Sequence, residues 1–93
     1  MENYEAIGRY VANKEKAVQQ AITRDNLLKD LLQVIRTPLE GASSSMIAAD
    51  VNFARAHDLL KKAEDAHNRM ARHVAEANSA AEASGNQKLV IGK

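Results

Sequence analysis

Apolar residues recur three and four positions apart along the first part of the chain. Tyr4, Ile7, Val11, Lys14, Val18, Ala21, Asp25, Leu28, Leu32 and Ile35 form one seam, interrupted only by Lys14 and Asp25. Alternating steps of three and four keep every member on one stripe of an α-helix. The pattern predicts helix 1 over about residues 4–35, with Asn3 as N-cap and Glu5 at the positive end of the helix dipole. Tyr10, Ala17, Leu27 and Leu31 widen the stripe on one flank.

A second seam runs through Ala49, Phe53, Ala56, Leu60, Ala63, His67, Met70, Val74, Ala77 and Ala81, with only His67 out of character. Its phase continues backwards through Met46, Ala42 and Leu39, which leaves the start of helix 2 open. Thr37-Pro38-Leu39-Glu40 has the form of a capping box, with Pro at the first helical position, and would begin the helix at Thr37. Gly41 and Ser43-Ser44-Ser45 are poor helix-interior residues and favour a loop with the cap at Ser44 or Ser45. The expected end is near Ala83, where Ser84-Gly85 supplies a C-terminal glycine. The expected organisation is a single helical-hairpin domain over residues 1–85, with helix 1 about 4–35, a turn about 36–45 and helix 2 about 45–83. Residues 86–93, with Leu89-Val90-Ile91, read as a flexible tail.

The fold class expected is all-α: an antiparallel hairpin of two long helices, assembling into a dimeric four-helix bundle or coiled coil. Helix 1 would span roughly 48 Å and helix 2 roughly 58–69 Å at 1.5 Å per residue. Helix 2 would then overrun its partner and leave Met70, Val74, Ala77 and Ala81 uncovered. An uncovered apolar stripe calls for another polypeptide.

Composition supports this reading. The 93 residues allow one domain, and aromatic residues make up only 3%, so the core must come from aliphatic side chains and alanine. Lys and Arg number 13 against 12 Asp and Glu, a formal charge of +1. That balance argues against a dedicated nucleic-acid or membrane-surface protein. Cysteine is absent, which excludes disulfides and thiolate sites. No apolar run suits a signal peptide or a membrane span, and the expected location is cytoplasmic.

The sequence offers little chemistry. His57, His67 and His73 are ten and six residues apart, whereas a helical metal pair needs three or four. No glycine-rich phosphate loop and no nucleophile–base pattern occurs, so neither a cofactor nor a metal nor a small-molecule substrate is expected, and the chain does not read as an enzyme. His67 reads as a core-edge residue that hydrogen-bonds across the helix contact. Lys14 and Asp25, as polar seam members, are the type of residue that sets register.

Several helical-hairpin families share this plan without a resemblance being carried by residues. WXG-type secreted proteins have a Trp-x-Gly turn, and this chain has no Trp. Type III secretion needle subunits have a Pro-containing turn that Thr37-Pro38-Leu39-Glu40 does not reproduce. Small secretion chaperones and accessory proteins of phages or prophages have a similar look but no diagnostic motif.

Two functions are therefore expected in order. The first is a non-enzymatic protein–protein interaction module (adaptor, inhibitor or chaperone-like binder). Its partners would be a second copy and another protein, contacted through Met70, Val74, Ala77 and Ala81 with Arg69, Arg72 and His73. The alternative is a nucleic-acid-associated regulator using the basic stripe Arg55, Lys61, Lys62, Arg69 and Arg72. Asp58 and Asp65 interleave that stripe, and no aromatic residue stands by to stack on bases.

Overall fold

The computed structural model describes residues 3–41 and 43–92. Helix α1 (Tyr4–Glu40), helix α2 (Phe53–Ser79) and a short helix α3 (Ala81–Ser84) are its only regular elements among those residues. The chain is all-helical, and α2 packs back along α1 as a hairpin. The result is a rod of 73 × 18 × 15 Å.

Helix α1 starts where Asn3 Oδ1 accepts the Ala6 N–H at 3.0 Å, filling one of the orphan donors of the first turn. It runs unbroken through Thr37 and Pro38 to Glu40. Thr37 therefore does not cap a second helix. Proline lacks the donor toward the preceding turn and its ring crowds the carbonyl four residues back, and with Pro38 so near the end of α1 both effects fall on the closing turn. The described residues of the connector between α1 and α2 are irregular. The Met46 N–H donates to the Ser43 carbonyl at 3.1 Å. Asn52 caps α2, its Oδ1 accepting the Arg55 N–H at 2.9 Å. Helix 2 thus begins at Phe53, not at Thr37 or Ser45.

This shortens α2 to 27 residues against 37 for α1, roughly 40 Å against 55 Å. The expected overhang of helix 2 is not formed. The end of α2 instead lies against the start of α1, where Ala6 and Tyr10 meet Ala77, Ala80 and Ala81.

The two helices touch along stripes rotated from the most apolar ones. On α1 the buried or half-buried positions include Ala6, Tyr10, Asn13, Ala17, Gln20, Arg24, Leu27, Leu31 and Val34, with Ile7 and Ala21 of the neighbouring stripe half-buried at its margin. On α2 they include Ala56, Leu59, Ala63, Ala66, Met70, His73, Ala77 and Ala80. Both series keep the three–four rhythm. Of the ten buried apolar residues seven are alanine, and Leu59 is the one large side chain below 2% exposure among the described residues. Alanine lets the backbones approach closely but removes little area from water, so the contact is long and thin.

The segment that follows α3 is tied back to α1 and α2. Gly85 adopts φ 75°, a left-handed conformation that costs glycine nothing. Around it the Asn86 N–H donates to the Ala81 carbonyl at 2.9 Å and the Gly85 N–H to the Glu82 carbonyl at 3.1 Å, the pair of bonds of a Schellman ending. The chain then turns back. Asn78 pairs with Leu89 in both directions, its Oδ1 accepting the backbone N–H at 2.7 Å and its Nδ2 donating to the carbonyl at 3.0 Å. The Tyr10 hydroxyl donates to the Gln87 carbonyl at 3.1 Å, and Leu89 packs on the alanine cluster. Residues 86–92, read from sequence as part of a flexible tail over 86–93, have these hydrogen-bond partners on both helices.

Asn78→Ala removes both bonds to Leu89. The expected cost is about 1–2 kcal/mol, read mainly as faster trypsin cleavage after Lys88 with helical circular dichroism retained. Unchanged cleavage would show that the Asn78 amide does not hold the tail.

Candidate protein-interaction face

The sites expected from sequence are distributed differently in the structure. Met70, Ala77 and Ala81 are buried in the contact between the helices, and Val74 is half-buried. They are not an uncovered end, because α2 is too short to overrun α1. Arg69 and Arg72 are exposed. His73 is half-buried, and its Nδ1 donates to Asn13 Oδ1 at 3.0 Å, tying the helices together.

The basic stripe is laced with acid. Asp58 lies 3.0 Å from the Lys62 amine and 3.5 Å from Arg55. Lys61 lies 3.2 Å from Asp65 and 3.6 Å from Glu64. The hydrogen bond to Asp65 and its charge, then the charge of Glu64, raise the Lys61 pKa above its ordinary value. Of the five basic residues, only Arg69 and Arg72 have no carboxylate within ion-pair distance among the described residues. Among those residues, too, no group of three or more His, Asp or Glu is placed to hold a metal ion, and no helix is long and apolar enough to cross a membrane.

The notable surface lies elsewhere. The apolar stripe expected to pack inside the hairpin on α1 is largely outside it. Tyr4, Val11, Val18, Leu28, Leu32 and Ile35 are exposed, Val18 and Leu32 at 51% each. On α2, Phe53 and Leu60 form the matching shoulder. The stripe on α1 is bordered by a groove between the helices. One stretch, an open pocket of about 350 Å³, is lined by Val18, Ala21, Met70 and Val74 and flanked by tail residues Val90 and Ile91. A second, about 250 Å³, lies between Leu28 and Leu60.

Arg24 borders both stretches. Its Nη1 donates to His67 Nδ1 at 3.2 Å. Arginine can only donate, so this nitrogen accepts and the imidazole proton sits on Nε2. Nε and Nη2 of the same guanidinium donate to Asp25 Oδ1 at 3.0 and 2.8 Å. His67 is thus held at the helix contact by a hydrogen bond across it. On the inner face Gln20 Oε1 is buried and accepts no hydrogen bond among the described residues, a local cost to the pairing of α1 with α2.

The accessible area measures how incomplete the burial is. A compact monomer of this mass, 10.2 kDa, exposes about 5,300 Å², whereas this chain exposes 7034 Å². The excess is about 1,700 Å² by that scaling, and thirteen large apolar residues are among the exposed ones. Comparison with family models, with curated proteins and with solved structures finds no match in any of the three.

The sequence pattern marks the outer seam of α1 as its apolar stripe and shows the inner one only as a flank of that seam. The legible signal was the flank Tyr10, Ala17, Leu27 and Leu31, which shares the three–four rhythm one position away from the main seam.

Proposed function

We propose that this chain is a non-enzymatic helical interaction module, acting through the outer stripe of α1 and the shoulder of α2. The observation behind this reading is the stripe itself. The chain spends alanine on its internal contact and keeps Val11, Val18, Leu28, Leu32 and Ile35 on its surface in helical register. A contiguous apolar strip of that length is a surface that another helical polypeptide covers. An adaptor, an inhibitor or a chaperone-like binder all work by such a face, and a cytoplasmic setting suits a chain without cysteine.

The nucleic-acid reading has less behind it. Arg55, Lys61 and Lys62 already have carboxylate neighbours, so little net positive charge remains along the stripe to displace counterions from a phosphate backbone.

The test is a double variant, Val18→Glu with Leu32→Glu. Both positions are half open to solvent, so helical content is expected to stay within about a tenth of the unmodified value, since exposed substitutions rarely cost much stability. Association, with itself or with protein captured from the native cell, is expected to fall at least about a hundredfold, because two carboxylates would be desolvated in the contact. Full association by the double variant would refute this face as the binding surface.

A further inference from the structure

The outer stripe of α1 carries its own pairing code. Its two polar members have opposite charge, Lys14 and Asp25, and both are exposed. They stand symmetrically about the middle of the stripe. Under antiparallel pairing of α1 with a second α1 about a two-fold axis between residues 19 and 20, each position meets the one whose number completes 39. Tyr4 then faces Ile35, Ile7 faces Leu32, Val11 faces Leu28, Val18 faces Ala21, and Lys14 faces Asp25. Every seam residue meets a seam residue of the other copy, as an antiparallel heptad contact requires.

Other registers fail on charge. Sliding by one heptad sets Lys14 against Val18 and Asp25 against Ile7, or Lys14 against Leu32 and Asp25 against Ala21. Parallel in-register pairing sets Lys14 on Lys14 and Asp25 on Asp25. Desolvating Lys14, which has no carboxylate partner among the described residues, or apposing like charges, disfavours these arrangements. Asp25 is prepared for the antiparallel match. Both Arg24 donations fall on its Oδ1, and Oδ2 has no partner among the described residues.

The area allows it. The excess of about 1,700 Å² on each copy exceeds the roughly 800 Å² per partner that a stable protein–protein contact buries. We infer that the partner of the α1 face is a second copy of this chain, packed antiparallel through α1 with two reciprocal Lys14–Asp25 contacts. This rests on the interaction-face reading above and deepens it by naming the occupant and the register.

Two experiments test it. Because the chain has no cysteine, Val11→Cys and Leu28→Cys can be introduced singly. Mixed and mildly oxidised, the two variants are expected to give a disulfide-linked heterodimer. Each alone is expected not to cross-link, since 11 and its own copy lie roughly 25 Å apart along the axis. Val11→Cys linking to itself would overturn the antiparallel register.

In the second, Lys14→Asp or Asp25→Lys alone is expected to raise the dimer dissociation constant roughly ten- to a hundredfold, each variant placing two like-charge contacts in the seam. The double swap is expected to recover to within roughly threefold. Absence of recovery would overturn the pairing. A chain that sediments as a 10 kDa species at every concentration, yet loses a captured partner in the Val18→Glu, Leu32→Glu variant, would overturn the second copy while leaving the interaction face standing.

Discussion

Leu59→Ala is expected to destabilise the hairpin by about 2–4 kcal/mol, while Leu60→Ala, one residue along, is expected to cost less than about 1 kcal/mol. The difference comes from rotation alone. Leu59 is 2% exposed between α2 and α1, and Leu60 is 52% exposed on the shoulder. Truncating Leu59 removes the largest fully buried side chain of a contact otherwise built mostly from alanine, and a rod held by so thin a core has little stability to lose. Urea unfolding followed by circular dichroism, at concentrations low enough that the chain is monomeric, measures both. Equal losses, or a larger loss at Leu60, would mean that α2 is turned toward α1 by the stripe through Phe53, Leu60 and Val74.

Ala77→Leu is expected to destabilise by about 1–3 kcal/mol, although it adds apolar volume. Ala77 has no exposed surface, and it packs with Ala6, Tyr10, Ala80 and Ala81 beneath the returning tail. Three more heavy atoms fit there only if α1 and α2 separate or the tail lifts from Asn78. Close packing leaves no room to absorb them. A loss of stability accompanied by faster cleavage after Lys88 would locate the strain at the tail. A rise in melting temperature would show that the alanine contact has slack.

The helical class and the hairpin were legible because three–four periodicity is the strongest signal a sequence carries. Rotation of the helices was not. Hydrophobic pattern selects the most apolar stripe of a helix, and on α1 that stripe is the outer one. The stripe that α1 turns toward α2 contains Asn13, Gln20 and Arg24, which find or seek polar partners across the contact, so it looks weaker on paper. On α2 the adjacent leucines 59 and 60 fit either phase, since Ala56, Ala63, Met70 and Ala77 belong to both.

The start of α2 was hidden for a related reason. The apolar phase runs on through Met46 and Ala49 in the connector, and only the Asn52 cap marks the true beginning. A start at Thr37 or Ser45 would lengthen helix 2 and uncover its far end, whereas the start at Phe53 leaves the uncovered surface along α1. The tail was unreadable because its anchors, Tyr10 and Asn78, lie 77 and 11 residues from what they hold.

The most direct test places a single reporter on the stripe. Val18→Cys lies near the proposed two-fold axis, and its thiol can be alkylated under reducing conditions. The expected result is slow labelling at high micromolar concentration that accelerates toward the rate of a free thiol on dilution, in step with the fall in sedimenting mass. Labelling as fast as a free thiol at every concentration would contradict the account, since the outer stripe of α1 would then stand open to water.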